Sequence, residues 1–237
     1  MSATAGFSRK RLALMVASIV VLQTLSVAAD SLTIPVLPTA STEVGFVAAP
    51  ANTPTLTCEV NRGMPLPLAA VAFSPDGKTL AVGGLGEVVL WDLAAGTLSR
   101  RIAVGQTTTM VQAVVFTKDG TALAAGQGTA YVSGTVSLLE FESGKPIAEF
   151  KDPKGLVNCL TLSPDGKLLV AGCGDAAAYV WGLEDNKLVA TLRDHSLPVL
   201  SAAFTSDGKF LCTGGADAMV QAWDTETWEP DIRRTLV

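Results

Sequence analysis

An Asp-Gly turn recurs four times in this 237-residue chain, always after a short apolar run. The turn aspartates lie 43, 46 and 42 residues apart and are Asp76, Asp119, Asp165 and Asp207. The glycine after each supplies the positive φ of a tight turn, and proline precedes two of the four aspartates. Apolar residues stand three and five positions before each aspartate, on one face of a strand. This arrangement repeats at the same positions in all four units. The spacing predicts four equivalent antiparallel units.

The third strand of each unit has its own signature. Tryptophan stands 15 or 16 residues after the turn aspartate in three units, at Trp91, Trp181 and Trp223. The second unit has Leu139 and Glu140 there, and its extra length of about five residues is assigned to turn residues 126–134. A fourth strand follows in every unit, at 97–104, 145–150, 187–192 and 231–237. Four short strands at this period are typical of a propeller blade.

Residues 67–237 resemble the WD-repeat (WD40-type) β-propeller family through these S-P-D-G turns, the Trp-Asp endings and their spacing. The resemblance implies an all-β propeller of four-stranded antiparallel blades, at about 67–108, 109–154, 155–195 and 196–237. Its blade-defining residues are Asp76, Trp91, Asp119, Asp165, Trp181 and Asp207. Propellers of this family commonly have seven blades, so four would leave two open sheet edges. A pair of chains forming an eight-bladed ring, a fragment of a longer product and a four-bladed body all remain open.

The resemblance also implies a buried hydrogen-bond network in the last blade, made by His195, Thr213, Asp217 and Trp223. The third unit keeps Asp175 and Trp181 but has Ala171 instead of a hydroxyl. The first unit has Gly86 where the aspartate belongs, and the second lacks the tryptophan. We therefore expect three of the four blades to be held by packing rather than by this network.

The chain before residue 67 divides into two parts. Residues 1–29 have three cations, an apolar run from Leu12 and small residues before Asp30, which predicts a signal peptide cleaved after Ala29. The alternative is an uncleaved N-terminal membrane anchor. Residues 30–66 hold five of the twelve prolines and are assigned as a linker, with an edge strand at 55–60. With a cleaved signal peptide, the rest of the chain is predicted to be periplasmic or extracellular. With an uncleaved anchor, it is predicted to be exported and tethered to the membrane.

Composition and motifs argue against several kinds of chemistry. Without residues 1–29, 14 basic side chains face 22 acidic ones, a net charge of −8 that disfavours nucleic-acid binding. The single histidine is assigned a structural role, and no serine-hydrolase elbow occurs. The glycine runs at 83–87 and 126–131 are assigned to hairpin turns rather than to nucleotide binding. Neither a cofactor nor a metal is predicted, because Asp92, Asp217 and Asp224 occupy positions that the repeat explains.

Four cysteines occur without a C-x-x-C pair: Cys58, Cys159, Cys173 and Cys212. Buried thiols are favoured over a disulfide, whose connectivity the sequence leaves open.

The family resemblance implies a non-catalytic scaffold that binds proteins or peptides. The N-terminal segment predicts that this scaffold is exported, and the open sheet edges predict self-association. The alternative is an enzyme or small-ligand binder that uses polar groups at the mouth of the channel. The sequence does not identify a partner or a pathway.

Overall fold

A computed structural model describes residues 68–105 and 108–231 of the chain. The predicted signal peptide, the linker with its strand at 55–60, Cys58 and residues 232–237 of the last predicted strand lie outside the described residues. In the described ranges the chain forms strands and turns, and no helix there has the length and hydropathy that a membrane span requires.

The strands form four antiparallel sheets, each built from consecutive strands, and we call the sheets blades 1 to 4. Blade 1 consists of β1 (Ala70–Phe73), β2 (Thr79–Gly83), β3 (Glu87–Asp92) and β4 (Thr97–Ala103). Blade 2 consists of β5 (Val111–Phe116), β6 (Ala122–Thr129), β7 (Ser133–Glu140) and β8 (Pro146–Phe150). Blade 3 consists of β9 (Val157–Leu162), β10 (Leu168–Cys173), β11 (Ala178–Gly182) and β12 (Lys187–Leu192). The described part of blade 4 consists of β13 (Val199–Phe204), β14 (Phe210–Gly215) and β15 (Val220–Asp224). The predicted all-β fold is confirmed, and blades 1 to 3 have the four predicted strands.

The Asp-Gly turns join the first and second strands of each blade. In blade 1, the Ser74 hydroxyl donates to Asp76 Oδ1 at 2.6 Å, and the Lys78 N–H donates to the same oxygen at 3.1 Å. The Thr79 N–H donates in turn to Ser74 Oγ at 2.9 Å. The glycine that follows has a φ of 68°, so the turn needs a residue that tolerates the left-handed region.

The same hydrogen bonds act on the carboxyl group in all four turns. The hydroxyl two residues earlier, followed by backbone N–H groups, lowers the pKa of each turn aspartate: Asp76, Asp119, Asp165 and Asp207. A pKa that is lower in the folded state stabilises the fold above the ordinary aspartate value, and this stabilisation is lost as the pH falls through the lowered value.

The blades pack face to face in chain order, with a hydrophobic cluster between each neighbouring pair. Leu90 and Leu123 belong to the cluster between blades 1 and 2. Trp181 of blade 3 packs against Leu138 and Phe150 of blade 2. Trp223 of blade 4 belongs to the cluster that contains Val180 of blade 3. The face that carries the tryptophan, or leucine in blade 2, is therefore directed toward the preceding blade.

The hairpin of blade 2 differs from its prediction. Residues 126–134 were expected to form a turn, but β6 and β7 pair through Thr129 and Ser133, so only the tip at 130–132 is a turn. A Cβ atom on Gly134 would lie 2.2 Å from the Gly155 carbonyl oxygen. The glycines thus let a longer hairpin lie against the segment between blades 2 and 3, instead of interrupting its strands.

Candidate functional site

The structure brings together the four side chains of the predicted network in blade 4. His195 Nδ1 lies 3.0 Å from Asp217 Oδ2, and His195 Nε2 lies 2.9 Å from Thr213 Oγ1. The Trp223 indole N–H donates to the same Thr213 oxygen at 2.9 Å. A carboxylate only accepts, so Nδ1 donates to it, and Nε2 of a neutral ring then accepts the threonine hydroxyl. Thr213 is buried and links the two rings through one oxygen.

Asp217 also ties the segment between blades 3 and 4 to the second hairpin of blade 4. Its carboxylate accepts the Ser196 N–H at 3.0 Å and the Met219 N–H at 3.2 Å. Burial alone would raise the pKa of Asp217, but the hydrogen bonds from Ser196, His195 and Met219 outweigh it and lower the pKa. Gly215 is required beside this carboxylate, because a Cβ there would lie 2.4 Å from Asp217 Oδ1.

Blade 3 has a polar network of its own that the sequence analysis missed. The Trp181 indole N–H donates to Asp152 Oδ2 at 2.9 Å, and Asp152 precedes the first strand of the blade. Asp175 Oδ2 accepts the Tyr179 hydroxyl at 2.6 Å, and Arg193 donates to that hydroxyl at 3.1 Å. Burial and the bond to Asp175 raise the pKa of Tyr179 to about 12. Blade 3 thus lacks the histidine–threonine network of blade 4 but adds these polar contacts to its packing.

The other aspartates weighed as metal ligands serve backbone turns. Asp92 Oδ1 accepts the N–H groups of Ala94 and Ala95 at 2.8 and 2.9 Å. Asp224 Oδ1 accepts two N–H groups in the equivalent turn of blade 4. Within the described ranges, no three His, Cys, Asp or Glu side chains are grouped as a metal site would need.

The described cysteines lie within or at the end of strands. Cys159 and Cys173 are free thiols and buried, whereas Cys212 is partly buried in β14. Burial raises the pKa of the Cys159 thiol to about 12, and burial followed by the nearby Asp175 raises the pKa of Cys173. Thiols with raised pKa values are weak nucleophiles at neutral pH, which agrees with a packing role for both.

One end of the blades presents apolar side chains to solvent. The hairpins between second and third strands and the segments between blades share this end, because the strands alternate in direction. Tyr131 and Val132, at the tip of the blade 2 hairpin, are 81% and 70% exposed. Leu197, in the segment between blades 3 and 4, is 49% exposed. We call Tyr131 and Val132 the hairpin tip.

Comparison with known families agrees with the geometry of the blades. The family described as "WD domain, G-beta repeat" matches residues 64–92, 144–182 and 186–224. Each of these three segments ends at or just after a blade tryptophan. The chain contains WD repeats. Blade 2 of this WD-repeat protein lies mostly outside the matches; it is the blade with Leu139 in place of tryptophan and with the extended hairpin.

Several curated WD-repeat relatives are similar to part of the chain. The Dictyostelium discoideum "Periodic tryptophan protein 2 homolog" is 31% identical over 140 residues, which cover 54% of this chain and 14% of the relative. The Schistosoma mansoni "WD repeat-containing protein SL1-17" is 31% identical over 128 residues, covering 54% and 40%. The "Small ribosomal subunit protein RACK1y" of Oryza sativa subsp. japonica is 32% identical over 115 residues, covering 47% and 33%. The chain thus matches less than half the length of each relative.

Proposed function

We propose that this WD-repeat protein is an exported, non-catalytic scaffold that binds other proteins through the end of the propeller that carries the hairpin tip. The observation that carries the proposal is the exposure of Tyr131 and Val132 on a hairpin whose two strands are fully paired. A paired hairpin holds its tip rigidly, and aromatic side chains are enriched at protein interfaces because they bury a large area. The similarity to WD-repeat relatives favours the same class of function.

The hydrogen bonds of His195 and Asp217 and the burial of Cys159 support a role without catalysis. Both ring nitrogens of His195 have structural partners, and Asp217 accepts three donors in the same network. Cys159 has a thiol whose pKa is raised by burial. A general base or nucleophile has to reach a substrate, whereas these groups bond to the fold or lie inside it.

Site-specific photo-cross-linking of the full chain in its native cells tests this proposal. A benzophenone amino acid replaces Tyr131 in one variant and Leu188 in the control, since Leu188 is 43% exposed on the outer strand of blade 3. We expect discrete cross-linked protein partners from position 131 and none of these from position 188. Equal patterns at both positions, or no cross-links from position 131, would contradict binding at the hairpin tip.

The same cells provide the test of export. Fractionation is expected to place the cross-linkable protein outside the cytoplasm, with Asp30 as its first residue after cleavage. A protein that keeps Met1 and stays in the cytoplasmic fraction would contradict export. The cross-linking result would still decide the scaffold proposal.

A further inference from the structure

The outer face of blade 1 is more exposed than the same face of every other blade. Its residues Val71, Phe73, Leu80 and Trp91 form what we call the blade 1 face. None of the three hydrophobic clusters among the described residues includes them. Blades 2, 3 and 4 direct the same face toward the preceding blade, so equivalent positions can be compared one by one.

The comparison gives the same result at these four positions, whereas Val82 and Val89 of the same face are buried like their equivalents in blade 2. Phe73 is 53% exposed, whereas Phe116 at the equivalent position of blade 2 is 5% exposed. Val71 is 38% exposed, whereas its equivalents are 9% exposed or less: Val114, Leu160 and Ala202. Leu80 and Trp91 are partly exposed, but their equivalents in the other blades are all buried: Leu123, Leu169 and Leu211, then Leu139, Trp181 and Trp223. We call the contact between the faces of two successive blades a joint. The blade 1 face has the residue types of a joint, but among the described residues no blade packs against it.

The opposite face of blade 4 shows the complementary pattern. Val220 is 37% exposed, whereas its equivalents in the first three blades are at most 1% exposed: Val88, Val136 and Ala178. Ala203 is also exposed on this face, whereas the equivalent Ala72 of blade 1 is 5% exposed. We call Val220 and Ala203 the blade 4 face. Inside the chain, a face of this kind is what the tryptophan-bearing face of the next blade packs against.

We infer that two copies of this chain associate head to tail, with the blade 1 face of each copy packed on the blade 4 face of the other. The three internal joints show which surface a face of the blade 1 type accepts, namely the apolar side chains on the opposite face of another whole blade. A second copy supplies that surface, and the joint continues the packing already present between blades. Two such joints close a cyclic pair, because a head-to-tail contact forms a ring when its rotation closes.

The expected pair corresponds to the eight-bladed ring that the sequence left open, but its contact surface differs from the predicted one. The sequence analysis placed self-association at open sheet edges, whereas the exposed apolar residues lie on sheet faces. Pairing through faces buries side chains and adds no backbone hydrogen bonds between strands. It is therefore sensitive to a single charged side chain placed in the middle of a face.

Sedimentation equilibrium of the full 237-residue chain provides the test. The wild type is expected to form a dimer, and Phe73→Asp or Val220→Asp is expected to weaken dimerisation by roughly 30-fold or more. The matched control is Ile147→Asp, because Ile147 is 51% exposed but lies on β8 of an internal blade. This control is expected to dimerise like the wild type. A monomeric wild type, or equal weakening by the control, would overturn the inference.

Mixing the two variants distinguishes head-to-tail pairing from other arrangements. A pair formed from one Phe73→Asp chain and one Val220→Asp chain has one joint with both faces unchanged and one joint with both faces altered. The mixture is therefore expected to associate more strongly than either variant alone. No gain on mixing, or a Val220→Asp chain that still dimerises, would show that another surface covers the blade 1 face.

Circular dichroism and thermal unfolding establish that each variant is folded before it is compared. Phe73→Ser and Val220→Ser provide milder changes at the same positions if an aspartate prevents folding. The inference goes beyond the proposed scaffold function, because its failure would leave the cross-links from Tyr131 unaffected.

Discussion

Replacing Trp181 with alanine is expected to lower the free energy of unfolding by about 4 kcal/mol, within the usual range for a large core aromatic. The side chain is fully buried between blades 2 and 3. Its ring lies 4.9 Å from Phe150 and 6.0 Å from Tyr179, measured between centroids. The substitution leaves a cavity at the joint and removes the donor to Asp152. Urea denaturation measures the change.

Trp91→Ala is the matched control for this substitution, since both tryptophans hold the same position in their blades. Trp91 is partly exposed on the blade 1 face, and its loss is expected to cost about 1 kcal/mol in dilute, monomeric protein. Equal costs for the two substitutions would contradict the assignment of Trp181 to a packed joint and of Trp91 to an open face.

Thr213→Val is expected to cost about 3 kcal/mol, because it removes one hydroxyl that serves two buried rings. The side chain keeps its shape, but the Trp223 N–H and His195 Nε2 both lose their partner. Each buried polar group left without a partner costs about 1–3 kcal/mol. Thr213→Ser keeps the hydroxyl and loses only a methyl group, so it is expected to cost about 1 kcal/mol.

A double-mutant cycle isolates the bond between threonine and tryptophan. Trp223→Phe removes the indole N–H, so that Thr213→Val no longer leaves that group unpaired. The cycle is expected to give a coupling energy of about 1 kcal/mol, measured by urea denaturation of the single and double variants. Additive costs would mean that the hydroxyl of Thr213 does not hold the indole.

The parts of the fold that depend on neighbouring residues could be predicted from the sequence. Each Asp-Gly turn is fixed within six residues by a hydroxyl, a carboxylate and a glycine, as in Ser74 to Thr79. The alternation of apolar residues in β1 and its equivalents follows from strand geometry. These are local constraints, and the structure has them at the predicted positions.

The contacts that the sequence did not reveal join residues far apart in the chain. Asp152 accepts a hydrogen bond from Trp181 across 29 positions. The repeat gives no sign of it, because no equivalent bond occurs among the residues of the other blades that the structure describes. The extended hairpin was missed because Gly128 and Gly134 were read as turn residues. Their role is to let the segment that contains Gly155 approach the hairpin closely, which is decided by a neighbouring segment.

The exposed ends of the blade array also illustrate this limit. A repeat pattern shows that Phe73 and Phe116 are equivalent, but it does not show that one is 53% exposed and the other 5%. That difference depends on which faces have a neighbour, and only the arrangement of the blades gives it.

Acrylamide quenching of single-tryptophan variants tests the packing of the blades most directly. The chain has four tryptophans, and each variant keeps one and replaces the others with phenylalanine. All variants carry Phe73→Asp, so that a second copy does not cover the blade 1 face. The structure predicts that Trp91 is quenched readily, whereas Trp181 and Trp223 are protected between blades. If Trp181 is quenched as readily as Trp91, the face-to-face packing of successive blades is contradicted.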